Sequence, residues 1–367
     1  MVKRIWNYPM LSFEKRPQPS KFWIVFTPIL AVILTLIAGA ILFSTLGKPP
    51  LESLKIIFWD PLFHPNYAAY SRPQLLVKAG PLILIAIGLS FGFKAGVWNI
   101  GAEGQYIIGA VIGGGVALAF YPYESIIVFP IAVLFGAIGG FLWAMIPVIL
   151  KVYFKTNEIL VSLMLVYVAE SILISVSQGL LRNPEGMGFP GSRNLNQYAS
   201  SANNELITGT GFHWGVIFAL ISVIFAYFIF QKHTLGYQVK LTGEAPKAAK
   251  FAGVNPNLIV FFCLGISGTL AGLAGIFEVT GQAGQITSSF NSGYGFTAII
   301  VAFLGRLHPV GILLAALLMA LTYIGGELAQ FQLQLPAASI QLFQGMLLFF
   351  LLAADILVNY RVSRKIF

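Results

Sequence analysis

Long stretches of this chain contain no Asp, Glu, Lys or Arg, among them Phe22 to Gly47, Ser125 to Leu150, Phe251 to Phe277 and Leu328 to Ala354. About 20 helical residues cross the roughly 30 Å hydrocarbon core of a bilayer. Soluble cores do not need runs of this length. The chain therefore belongs in a membrane, a solvent that cannot satisfy backbone polar groups, so a spanning segment must satisfy its own.

Of 367 residues 57% are hydrophobic and 10% charged, against roughly 25% charged in a soluble domain. A net charge of +9 raises the question of nucleic acid. The basic residues sit in short clusters at the ends of apolar runs, which reads as membrane topology and leaves no nucleic-acid partner expected. Residues 1–21 read as a cytoplasmic N-terminal segment rather than a cleavable signal, because the following run is too long and lacks a small-residue cleavage site. Cys263 is the single cysteine, so neither a disulfide framework nor a metal cluster is expected.

The pattern predicts an all-α polytopic bundle of about ten transmembrane helices, near 22–46, 74–92, 102–120, 125–150, 157–180, 212–231, 256–279, 293–305, 308–326 and 337–358. With the N-terminus in the cytoplasm, the inner side collects Lys3, Arg4, Lys15, Arg16, Lys21, Lys94, Lys151, Lys155, Lys232, Lys240, Lys247, Lys250, Arg306, Arg361, Arg364 and Lys365. Only Lys48, Lys55, Arg72, Lys78, Arg182 and Arg193 stay outside. That asymmetry follows the positive-inside rule. Both termini are then cytoplasmic, with a tail at 359–367.

Ten spans allow an inverted repeat of five and five. Each half carries a glycine-rich break between its second and third spans, at Lys94 to Gly101 and at Asn291 to Gly295. Paired, Gly-interrupted segments point to a substrate pathway, although ordinary loops read the same way. Glycines four apart (Gly109 and Gly113, Gly136 and Gly140, Gly268 and Gly272) let helix backbones approach closely where lipid supplies no drive for association.

Several chemistries are missing from the sequence. It contains no Gly-x-x-x-x-Gly-Lys-Ser/Thr phosphate loop and no Gly-x-Ser-x-Gly elbow. His64, His213, His233 and His308 are scattered, without the helical spacing that holds zinc. Asp60 and Asp355 are the only aspartates. An enzyme is not expected; a translocation pathway or a structural bundle is.

Three stretches carry most of the information. In Asn99-Ile100-Gly101-Ala102-Glu103-Gly104-Gln105, Asn99 can cap the third span and Glu103 can face the positive end of its dipole. Alternatively Asn99, Glu103 and Gln105 present polar groups to a pathway, since a charge at membrane depth should face protein or water. In Glu244 to Val254, Pro246 suits a first helical turn and Gly253 a stop. The expected short helix spans 244–253, with Ala248, Ala249 and Phe251 as a small apolar contact face. The third stretch runs from Gly268 through Glu278, Gln282 and Gln285 to Gly293-Tyr294-Gly295-Phe296 and Gly305-Arg306.

Together these resemble the membrane permeases of bacterial binding-protein-dependent ABC importers, in the ribose and branched-chain amino-acid branch. They are most similar to nucleoside or simple-sugar permeases that work with basic-membrane-protein lipoproteins. Phe93-Lys94-Ala95-Gly96-Val97-Trp98-Asn99 with Ile100 to Gln105 looks like that group's signature. So do Phe154-Lys155-Thr156-Asn157-Glu158-Ile159 and Leu181-Arg182-Asn183-Pro184 with Gly188-Phe189-Pro190.

The resemblance implies a transmembrane domain at 22–358, with a cytoplasmic coupling loop at 232–255 and an outer docking loop at 181–211. It implies separate ATPase subunits that use the ATP, a second and different permease chain, an external or periplasmic binding lipoprotein, and residence in the bacterial inner membrane. No cofactor is expected on this chain. Trp98, Asn99, Glu103, Gln105, Glu278, Tyr294 and Phe296 become candidates for the pathway. Glu244, Pro246, Ala248, Ala249, Phe251 and Gly253 become candidates for ATPase coupling. The expected solute is a nucleoside or related purine compound, with a simple sugar or an amino acid as alternatives. An ion-driven secondary transporter using Glu170 or Glu278, and a scaffold without flux, are competing classes.

Overall fold

The computed structural model describes residues 10–18, 20–290 and 293–365; Lys3, Arg4, Asn291 and Ser292 lie outside them. In chain order the elements begin with strand β1 (Met10–Lys15) and helices α1 (Lys21–Thr45), α2 (Pro50–Phe58), α3 (Asp60–Phe63), α4 (Ala68–Lys94) and α5 (Ala102–Ala119). Next come α6 (Val128–Phe154), α7 (Glu158–Gln178), α8 (Trp214–Lys232), α9 (Thr234–Glu244) and α10 (Pro246–Phe251). The chain ends with α11 (Pro256–Thr280), α12 (Tyr294–Leu304), α13 (Pro309–Leu333), α14 (Ala337–Asn359) and strand β2 (Tyr360–Lys365). They form two compact units, residues 1–59 with 325–367, and residues 60–324.

Among the described residues nine helices are long and apolar enough to cross a membrane. The eighth expected span is different. Helix α12 has 11 residues, which at 1.5 Å per residue is about 16 Å, roughly half of a bilayer core. Gly293 at φ +72° starts it. The glycines at 281 and 284 use up chain that a full span would need. Helix α4, by contrast, starts at Ala68 rather than 74 and carries Pro73 and Pro81 inside it.

In the first unit, Ser20 caps α1 by accepting the Trp23 N–H at 3.4 Å. Thr27, Ala31, Thr35, Gly39 and Phe43 recur every four residues and are buried, forming the stripe that packs on α14. A Cβ on Gly39 would run into the Phe343 ring. The opposite face exposes Ile29, Ile33, Ile37 and Ile41, an apolar surface suited to lipid. Strands β1 and β2 pair antiparallel from Met10↔Lys365 to Lys15↔Tyr360, and Arg361 Nη2 meets Glu14 Oε2 at 2.9 Å. The segments Met10–Lys15 and Tyr360–Lys365 are therefore held together, and this ribbon adds one non-helical piece to the all-α reading.

The second unit is built round α11, which packs on α4, α5 and α6. The glycines spaced by four meet one another. Gly109 faces Gly272, and a Cβ on Gly140 would lie 2.7 Å from Gly272 Cα. On Gly136 it would lie 2.7 Å from Ile276 Cβ, and on Gly113 2.7 Å from the Ala132 carbonyl. Where Gly109 and Gly140 meet Gly272, backbone against backbone leaves no side chain that can yield. We expect Gly272→Val to be worse than an ordinary overpacked core site, which costs about 1–3 kcal/mol. The folded, monodisperse peak of detergent-solubilised protein on size exclusion should be lost.

Candidate functional site

After α4 the chain turns back at Gly96, φ +73°. Asn99 holds the turn. Its Nδ2 donates to Gln105 Oε1 and to Ser267 Oγ, both at 2.9 Å, while its Oδ1 accepts from Gln105 Nε2 at 3.2 Å and Gly101 N at 3.0 Å. Both amides are about 1% exposed. The N-cap of α5 is Gly101, so Asn99 does not cap the helix itself as the sequence suggested. It anchors the residue that does, and ties the turn to α11.

Glu103, in the first turn of α5, sends its carboxyl group across to α12. Oε1 accepts the Gly293 N–H at 3.1 Å and Oε2 accepts the Gly295 N–H. Helix α12 starts inside the protein, where its first N–H groups have no intrahelical partner. An unmet N–H is costly there, and Glu103 supplies acceptors. The carboxyl group stands at the N-termini of two helices, the favourable end of each dipole. Gly295 is required because a Cβ there would lie 2.5 Å from Glu103 Cα. Glu103 keeps the place in the first turn of its own helix that the sequence indicated, and serves a second helix as well.

Tyr294 is 2% exposed. Its ring makes edge contacts with Tyr106 at 6.0 Å and Tyr323 at 5.6 Å, and its hydroxyl accepts from Lys78 Nζ at 3.5 Å. Tyr323 pairs with Thr297 at 2.8 Å. Buried Glu278 feels the Lys78 charge. The Tyr106 hydroxyl has no hydrogen-bond partner among the described residues. Glu103, Glu278 and Tyr294 are thus brought together, with Lys78, Tyr106, Thr297 and Tyr323 added by the fold. Trp98 is elsewhere, stacked with Phe93 and Phe303 at the far end of α12. Phe296 is 39% exposed.

At the end of α8, helix α9 comes first, and the short helix expected within 244–253 follows as α10, Pro246–Phe251. Glu244 closes α9, where Lys240 pairs with it at 3.8 Å. Pro246 opens α10 as expected. Gly253 at φ +80° ends it, with the Val254 N–H returning to the Ala249 carbonyl at 2.9 Å. Ala249 and Phe251 do not share a face: Ala249 is fully buried while Phe251 is 97% exposed. Residues two apart on a helix point opposite ways. Ala248 is exposed. Gly243 lies against the turn after α4, where a Cβ on Gly96 would sit 3.3 Å from Gly243 Cα.

At the opposite end of α8 and α11, residues 181–211 fold over the end of α11 instead of running free. Ser192 N donates to Ile286 O, Leu195 N to Gly284 O and Asn203 N to Thr280 O, at 2.7–2.9 Å. Beneath lies a polar cavity of about 350 Å³, whose lining includes Gln74, Asn196, Asn203, Glu205, His213 and Gln282. His213 Nδ1 accepts the Gly215 N–H at 3.0 Å, capping α8, and meets Asn203 Nδ2 at 3.0 Å. Of this group the sequence had singled out only Gln282. An asparagine pair next to a histidine that opens a span was the available signal.

A family model described as the permease component of the branched-chain amino acid transport system matches residues 72–352. The chain belongs to this permease family. It is 30% identical to the glucose ABC transporter permease protein TsgB13 of Haloferax volcanii, over 93% of this chain and 90% of that protein. It is 29% identical to the nucleoside ABC transporter permease protein NupB of Lactococcus lactis, over 82% and 83% of the two chains. It is 30% identical to the guanosine ABC transporter permease protein NupP of Bacillus subtilis, over 81% and 84%. No solved structure matches the chain.

The permease is thus a multi-pass membrane transport subunit, and its family implies ATPase and solute-binding partners. Two outcomes follow from its buried polar groups. Glu103→Ala strips the first turn of α12 of its acceptors. It should cost about 1–3 kcal/mol, read as a lower melting temperature in detergent, with Glu103→Gln intermediate. Burial lowers His213 to about 4 from 6.5, with the Glu205 charge opposing. Between pH 6.5 and about 4 the unfolded chain binds the extra proton, so stability falls as pH falls through that window and no further below it. The total is on the order of 3 kcal/mol, and melting curves against pH should lose that component in His213→Asn.

Proposed function

We propose that the permease forms the translocation pathway of an ABC importer for a nucleoside or related purine compound. An external binding lipoprotein delivers the solute, and separate ATPase subunits using ATP drive it. Residues 22–358 are the transmembrane domain, with the 232–255 loop and both termini in the cytoplasm and the 181–211 loop outside, in the cytoplasmic (inner) membrane. A second, different permease chain completes the pathway, and no cofactor resides on this one. The names of two relatives, a nucleoside and a guanosine permease, support the solute assignment. A simple sugar is the second reading, favoured by the glucose permease that matches over 93% of this chain.

The observation that carries the coupling assignment is the α9–α10 segment. Phe251 stands 97% exposed on a short helix with a fixed start and stop, as a side chain does when it fills a partner's groove. Glu244, Pro246, Ala248 and Gly253 shape that knob, and Ala249 roots it. Gly243 meets the turn at Gly96, and Asn99, Gln105 and Glu103 continue from there to the start of α12. A push on α10 would reach α12, Tyr294 and Glu278 along this line, with Trp98 and Phe296 on its flanks.

The test uses the assembled importer in vesicles loaded with ATP. Phe251→Asp should insert normally yet lower guanosine uptake at least tenfold, because central aromatic anchors dominate interfaces. Normal uptake by this variant would remove the coupling role. Failure of the parent importer to take up guanosine while it takes up glucose would move the solute to the sugar reading.

A further inference from the structure

The cavity beneath residues 181–211 has the features of a binding site that the pathway residues described above do not include. His213 is 4% exposed. Its Nδ1 accepts the Gly215 backbone N–H, a group that can only donate, so the ring proton must sit on Nε2. Asn203 agrees with that assignment: its Oδ1 accepts the Trp214 N–H at 3.2 Å, which turns its Nδ2 toward Nδ1. Nε2–H is therefore a buried donor, and it has no partner among the described residues. Such a group is costly unless something fills its place.

The space in front of it is kept open. Gly281 stands there, and a Cβ at that position would lie 3.3 Å from Nε2. Round the opening are the amides of Gln74, Asn196, Asn204 and Gln282 and the carboxylate of Glu205. Gln282 Nε2 donates to Gln74 Oε1 at 3.2 Å and Asn196 Nδ2 to the Gly281 carbonyl at 2.7 Å, so both amides are pre-set. A cluster of amides with one carboxylate suits hydroxyl groups and carbonyl oxygens rather than a net charge. At about 350 Å³ the cavity is at the lower end of the range for small-molecule pockets.

We propose that this cavity is a receiving site for an uncharged, polyhydroxylated solute such as a ribofuranosyl compound, held by a hydrogen bond from His213 Nε2–H to a solute oxygen or ring nitrogen. The site lies at the end of α8 and α11 remote from α9–α10, so the solute passes it before reaching Glu278 and Tyr294. This inference rests on the solute class proposed above.

The substitution His213→Asn separates the two jobs of the ring. Asparagine is a preferred N-cap residue, so it keeps the bond from Gly215, but it is too short to replace Nε2–H. In the assembled importer the variant should melt close to the parent at neutral pH and raise the KM for [3H]guanosine uptake about tenfold, with kcat little changed. Asn204→Trp, at an exposed rim position, should fill the opening and abolish uptake without loss of insertion. [14C]glucose serves as the parallel probe. An unchanged KM in His213→Asn together with normal uptake by Asn204→Trp overturns the site while leaving the solute class intact. Uptake of neither probe by the parent overturns both the solute class and the site.

Discussion

The close packing of α11 against α5 and α6 at glycine contacts is the constraint on which the larger unit rests. Lipid gives apolar helices no reason to prefer one another, so their association depends on close van der Waals contact. Gly109, Gly140 and Gly272 bring backbone against backbone in that seam, with Ile276 seated on Gly136 and Ala144 on Gly268. The approach then fixes the level at which each helix meets the next. Asn99 can reach Ser267 on α11 and Tyr106 can stand beside Tyr294 only because the backbones are already in register.

Within that frame the unusual element is α12, a helix that begins inside the protein. A full span satisfies its own backbone, whereas a half-length one leaves N–H groups where water is scarce. Glu103 resolves this from a neighbouring helix, and in doing so joins the two glycine breaks that the sequence showed as separate features. The result is two groups of polar contacts carried by the start of α5, one at Asn99 and Gln105 and one from Glu103 to the N-terminus of α12.

Much of this architecture is legible in the residues. All ten expected helices are found; α4 starts six residues before its expected limit and α13 ends seven beyond it, while α12 keeps its expected limits and is simply too short to cross. The glycines spaced by four pack as their spacing implies. Helix α12 was harder: Tyr294 to Leu304 is as apolar as any span, and hydropathy cannot say that the residues before it fold back instead of continuing the helix. Contacts far apart in sequence are equally silent. Nothing local to Glu103 indicates that Gly293 and Gly295, some 190 positions later, will claim its oxygens. Ala249 and Phe251 show a different failure. Their apolar character is plain, but the helical period sends them to opposite sides. His213 carries no recognisable spacing, and its unmatched nitrogen emerges only once Gly215 and Asn203 occupy the other one.

The smaller unit has a consequence for how the protein is made. It combines the first 59 residues with those from 325 onward, and the stripe of α1 from Thr27 to Phe43 finds its partner only in α14. During synthesis the first helix enters the bilayer long before that partner exists. It must wait there through the insertion of every helix between, shielded by lipid or by the insertion machinery. Closure of the ribbon between Met10–Lys15 and Tyr360–Lys365 is then among the last events of assembly, so a chain truncated by even a few tens of residues at its end would leave its beginning unfastened.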